Sequence, residues 1–210
     1  MRRVIVCLVA LLVVGLTMWA DWTNSGVQSR GPTTLQNAAA SGNGTVLNSN
    51  ATVKEHAFYT TWGAGTTAGS VVIETAASSD YSGTWATLTT VNWAAASTTA
   101  IYKYTGCLAY VRARIGTRVA ASAAKTITGV TQANPGVVTA ASHGFSNGDV
   151  VYITGIVGMT ELNGNTYTVA NKDTNTFELS GVDTTGYTAY TSGGTATKDG
   201  AVTVKVWGTN

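Results

Sequence analysis

The stretch LAYVRARI, residues 108–115, decides the fold class. Ala109, Val111, Ala113 and Ile115 fall on one side of a two-residue period. Leu108, Tyr110, Arg112 and Arg114 fall on the other, which is the alternation of a strand with one face in a core and its guanidinium groups reaching solvent. The C-terminal AVTVKVWGTN, residues 201–210, repeats the pattern, with Val202, Val204 and Val206 facing one way and Thr203, Lys205 and Trp207 the other. The strands around Val111 and Val204 are expected to be neighbours in one sheet. Upstream, further strands are read at 53–61, 70–74, 85–91 and 101–104, parted by turns such as Gly63-Ala64-Gly65 and Ser79-Asp80-Tyr81-Ser82-Gly83. Residues 21–50 are rich in Gly, Asn, Ser, Thr and Ala with little periodicity, and read as a loose N-terminal arm followed by one or two short strands near 45–47. The fold class is all-β, a β-sandwich of jelly-roll type.

Composition agrees. Twenty-four Gly among 210 residues favour short strands joined by tight turns over helix bundles. Only 10% of residues are charged, against roughly 25% in an ordinary soluble domain. The formal charge of +2 includes Arg2 and Arg3 at the extreme N-terminus, so the body is neutral and lacks the clustered Lys and Arg that nucleic-acid binding needs. Two Cys, Cys7 and Cys107, give the body no internal disulfide and no Cys-rich metal framework, and the histidines are His56 and His143. This sparse catalytic vocabulary argues against an enzyme.

Between the two diagnostic strands lies a stretch of different character, residues 125–198. TITGV, GVVTA, GDVVYITG, NTYTVANKD and NTFELSG are short β runs separated by Gly, Asn and Asp turns, the spacing of a small β-barrel. The chain is therefore read as a discontinuous sandwich, 51–124 and 199–210, interrupted by a barrel that joins it through 119–124 and Asp199-Gly200. Such insertion is tolerated at an exposed loop when the inserted ends lie close together.

MRRVIVCLVALLVVGLTMWA, residues 1–20, has the layout of a secretory signal peptide, with Asp21 opening the mature chain, although Met18 stands where a small residue is preferred. The same run is read alternatively as an uncleaved membrane anchor or as sequence upstream of a true start at Met18.

Residues 127–198 resemble a module widespread in tailed-phage virion proteins and similar to the first catalytic cysteine half-domain of ubiquitin-activating enzymes. SHGFSNGDVV at 142–151, MTELNGNTYTV at 159–169 and NTFELSGVDTTGYTAY at 175–190 carry the resemblance. It implies a small structural β-barrel without catalytic residues, and this copy contains no Cys, which excludes thioester chemistry. More loosely, LQNAAASGNGTV near Leu35, GSVVIETAASSDYSGTWATL at 69–88 and YVRARI at Tyr110 resemble the sandwich domains of phage head-decoration and tail-associated proteins.

Among candidate sites, Cys107 with His56 or His143 is a conceivable nucleophile and base, but a lone Cys in a β protein is far more often a small buried hydrophobe. His143 is expected to bond its own loop and His56 to point outward from a strand. Asp80, Asp149, Asp173 and Asp183 sit in turns without calcium-loop spacing, where Asp normally bonds its own backbone. Neither a metal nor any other cofactor is expected. Trp62, Tyr81, Tyr187 and Tyr190, in or beside loops, are the candidate surface-contact residues, while Trp85 is expected to fill the core. The leading expectation is a non-enzymatic virion protein, capsid decoration or tail-associated, bound to other virion proteins and to copies of itself. The alternative is a secreted or cell-surface adhesin that presents aromatic rings to glycans, in which a membrane is met only through residues 1–20.

Overall fold

The computed structural model describes residues 29–49, 53–78, 82–95 and 98–209, with side chains from residue 31. The readings made on the leader therefore lie outside the described residues. In chain order the strands are β1 (Ser29–Ala39), β2 (Leu47–Asn48), β3 (Glu55–Trp62), β4 (Ala68–Ala76), β5 (Ala86–Asn92), β6 (Thr99–Thr105) and β7 (Tyr110–Ala120). The intervening piece contributes β8 (Lys125–Thr126), β9 (Gly129–Val130), β10 (Val137–Thr139), β11 (Val150–Val157), β12 (Asn165–Ala170), β13 (Thr176–Leu179) and β14 (Ser192–Lys198), and the chain ends in β15 (Val202–Thr209). Among the described residues one 3-10 turn, Thr160–Leu162, follows β11. All pairings between these strands are antiparallel.

The sandwich consists of a sheet ordered β1-β15-β3-β6 facing one ordered β2-β7-β4-β5. Alternation along β3, β15 and the first half of β7 makes most of the inner faces. Phe58 and Trp62 from β3 and Val202, Val204 and Val206 from β15 meet Val71 and Ile73 from β4 and Val111, Ala113 and Ile115 from β7 in one core. The strands around Val111 and Val204 are thus not neighbours in a sheet but face each other across that core. A period of two reports which side of a strand is buried and is blind to which sheet the strand joins, so opposed strands and adjacent strands read alike.

The supposed loose arm is also corrected. Residues 29–39 form an eleven-residue edge strand along β15, irregular at three places, and its Leu35 is 1% exposed in the core. The register shifts break the two-residue period, which is why the strand could not be seen in the sequence. The guanidinium groups of Arg112 and Arg114 do not simply reach solvent either. On the outer face they flank buried Glu74, with Arg112 Nε 2.8 Å from Oε2 and Arg114 Nε 3.0 Å from Oε1. Arg112 also covers the ring of buried Trp85 at 4.3 Å, so Trp85 is packed on this outer side and not among the facing strands.

The inserted piece has its own core, in which Ile153, Met159, Leu162 and Phe177 are fully buried. Its sheet, ordered β8-β14-β11-β12-β13-β10-β9, curls around that core without closing into the expected barrel. Its edge strands β8 and β9 are not paired with each other but are successive parts of one bent segment. Between them the Ile127 N–H donates to Gly194 and the Thr128 N–H to Thr139, so the chain itself spans the gap that a ladder would have filled.

Candidate functional site

The corner where β7 leaves the sandwich and β15 enters it is a built junction. Ala120 and Asp199 form an antiparallel bridge, extended by Gly200 N–H to Val119 and Ala121 N–H to Lys198, both 2.8 Å. Arg118 completes it with a two-pronged ion pair to Asp199, Nε to Oδ1 2.7 Å and Nη2 to Oδ2 2.5 Å. Its guanidinium lies 4.2 Å from the ring of Tyr152 on β11. Planar Arg matches a carboxylate and an aromatic face at once, which a Lys ammonium cannot do. One side chain from the sandwich therefore grips both the joint and the insert.

The aromatic rings singled out in the sequence do not form one surface. Trp62 is 4% exposed and belongs to the sandwich core; Gly69 at φ +145° lets the backbone come close to it. A tryptophan before a Gly-Ala-Gly turn reads as a loop residue, but it occupies the last inward position of β3 and is not a surface contact. Tyr81 lies outside the described residues. Tyr187 and Tyr190 are half-buried against the insert's core, and the Tyr190 hydroxyl stands 3.0 Å from the carbonyls of Ile127 and Gly193. Burial of those two rings holds the 180–191 segment onto the sheet. Glu161 secures the same segment by accepting the Thr188 N–H and hydroxyl at 2.8 and 3.0 Å, and the backbone bond is the main reason its carboxyl sits below the usual range.

The groups with chemical potential are mostly spent on structure. His143 accepts the Phe145 N–H on Nδ1 at 3.0 Å, which leaves Nε2 as the donor to Thr176 O, 3.2 Å away; it bonds its own loop, as expected. His56 does not point outward. It is 3% exposed, because it shares the inward register of Phe58, Thr60 and Trp62. Its Nε2 lies 2.8 Å from Ser49 Oγ, while Nδ1 has no hydrogen-bond partner among the described residues. Desolvation pushes its pKa below the ordinary histidine value. Ser49 and His56 form a serine–histidine contact, but both are shut from solvent, so the contact ties the end of β2 to β3. Cys107 is exposed rather than buried. Asp149, Asp173 and Asp183 each accept a backbone N–H two or three residues away or nearer, and Thr185 holds the Asp183 carboxyl below its usual range. Asp149 also pairs with Lys198 at 2.7 Å. No group of three His, Cys, Asp or Glu among the described residues is placed to hold a metal, and no described helix is long and apolar enough to cross a membrane.

The outer face of the β1-β15-β3-β6 sheet carries a mixed aromatic, aliphatic and basic surface. Direct pairing sets Lys205, Tyr59 and Ile101 in one cross-strand row and Trp207, Ala57 and Lys103 in the next. The Tyr59 and Trp207 rings meet edge to face at 4.4 Å. Lys103 and Lys205 are exposed, and Ile101, 55% exposed, is the largest apolar departure from burial on this sheet. Trp207 and Lys205 were legible as outward residues of a strand; Tyr59 and Ile101 were not associated with them, because the row is set by long-range strand order.

Residues 133–199 match the family described as the Ubiquitin-activating enzyme E1 FCCH domain, which agrees with the resemblance carried by 142–151, 159–169 and 175–190. No curated protein matches the chain in sequence. Among solved structures it is similar to one titled "Crystal structure of PBSX exported protein XepA", at 11% identity and a TM-score of 0.28 over 86% of each chain.

Proposed function

We propose that this chain is a non-enzymatic structural protein of a tailed-phage virion, a capsid-decoration or tail-associated component that works by surface binding. The observation that carries the reading is the segment 133–199, similar to the FCCH domain, which contains no Cys. It is built here as a self-cored insert gripped at its root by Arg118. In that form it is a structural element with nothing of thioester chemistry. Engagement of His56, His143, Glu74, Asp149 and Asp199 in internal bonds supports binding over catalysis. Sparse charge favours contact with a repeating lattice, because few ions need be stripped of water when the surfaces meet.

The partners on this reading are other virion proteins and further copies of the chain, no cofactor is used, and the location is the virion. The test adds purified chain to particles of its source assembled without it and follows cosedimentation. Saturable binding at a fixed number of copies per particle is the expected result, and absence of binding to heads and to tails refutes it. A second reading, an exported adhesin or glycan-binding surface protein, is favoured by the signal-peptide pattern of residues 1–20.

A further inference from the structure

We infer that the outer face of the β1-β15-β3-β6 sheet is a binding platform for an acidic polysaccharide with a carboxylate on alternating sugars. The inference stands independently of the virion reading. Lys205-Tyr59-Ile101 and Trp207-Ala57-Lys103 are adjacent rows of this face, so the lysines occupy opposite corners of an apolar centre. From strand spacing and rise, their Cα atoms are about 12 Å apart, close to the span of a disaccharide repeat. Neither Tyr59 nor Trp207 packs against the sandwich core. Their edge-to-face contact at 4.4 Å fixes both rings, and both residues remain partly exposed. Ala57 places the smallest side chain of the face beside them, between Trp207 and Lys103, which leaves a shallow seat for a sugar ring.

The chemistry follows from that layout. The C–H face of a pyranose lies on one of the two rings while the other, at 68° to it, borders the seat; both offer apolar area with little rotamer freedom to lose. The lysine stems lie along the sheet while their ammonium groups reach up to the carboxylates on either side. Glu55, the acidic group in the next row, is 3.4 Å from the Thr209 hydroxyl and leaves the lysines in excess. A neutral glycan would use the rings and waste both cations. An acidic protein surface would find no recess wider than Ala57, whereas a linear polymer has only one ring at a time to seat.

The test is native gel electrophoresis of the full chain in gels cast with hyaluronan, which carries one carboxylate per disaccharide, beside gels cast with dextran. Retardation by hyaluronan and not by dextran is expected. Trp207→Leu, which leaves charge unchanged, and the double variant Lys103→Gln/Lys205→Gln should each weaken it at least about tenfold. The charge-matched double variant Lys125→Gln/Lys172→Gln on the insert should keep it, and a thermal melt confirms that each variant is folded. The inference is overturned if hyaluronan does not retard the chain, if dextran retards it equally, if Trp207→Leu binds as before, or if the insert control loses as much. It is equally overturned if the chain self-associates through this face, seen as a concentration-dependent dimer that Ile101→Ser abolishes.

Discussion

Replacing Arg118 by Ala should uncouple the insert from the sandwich. The side chain contributes two charge-assisted bonds to Asp199, at 2.7 and 2.5 Å, and a cation–π contact with Tyr152 at 4.2 Å. Bonds to a charged group contribute about 1.5–3 kcal/mol, and a partly exposed cation–π contact about 0.5–1 kcal/mol. The two side chains of the ion pair retain 25% and 13% of their exposure, so solvent screening brings the sum toward its lower half, about 2–3 kcal/mol. For a chain of this size each kcal/mol moves Tm by roughly 2–4 °C. The assay is scanning calorimetry with urea denaturation of the single variant, of Asp199→Ala, and of both together. The wild type should unfold in one transition, and Arg118→Ala should resolve a second. The double variant should cost little more than either single one, because each removes the same bond. A loss under about 0.5 kcal/mol with one undivided transition would refute the idea that this residue joins the two pieces.

Other outcomes follow from the same packing. Leu35→Ala should cost about 2–5 kcal/mol, since Leu35 is 1% exposed within the sandwich core; urea denaturation that finds it neutral would return residues 29–39 to a loose arm. Glu74→Gln removes the charge shared by Arg112 and Arg114. With those arginines partly exposed it should cost about 2 kcal/mol, read as a fall in Tm that moderate salt only partly masks. His56 has a folded pKa below its unfolded value, so near and below about pH 6.5 the unfolded chain binds the extra proton and the folded chain does not. Stability should therefore fall as pH drops from 7.5 to 5.5, and His56→Phe should flatten that slope; an unchanged slope would place the titrating group elsewhere.

Much of the fold lay open in the sequence because the alternation of LAYVRARI and AVTVKVWGTN is local. Val111, Ala113, Val204 and Val206 are buried where that period places them. What the period could not carry is long-range pairing. The opposition of β7 and β15 across the core, and the bent segment that pairs β8 with β14 and β9 with β10 rather than with each other, depend on which strands meet after collapse. Bulges hid β1 for a different reason, since each shifts the inward set by one residue. The site was less legible still. Trp62 was chosen for its neighbours in a turn and proved to be core, whereas Tyr59, Trp207 and Ile101 become one surface through strand order alone. Arg118 and Asp199 are 81 positions apart; the sequence placed the joint at 119–124 and Asp199-Gly200, but not the ion pair that closes it.

The central claim is that this chain is a component of a virion. Quantitative mass spectrometry of gradient-purified particles from the producing culture, with the cell envelope and the medium measured alongside, tests it directly. The account predicts the chain in the particles at a fixed copy number relative to the major capsid or tail protein. A chain absent from particles and recovered from the envelope or medium with its N-terminus at Asp21 would contradict it and move the exported adhesin to the front.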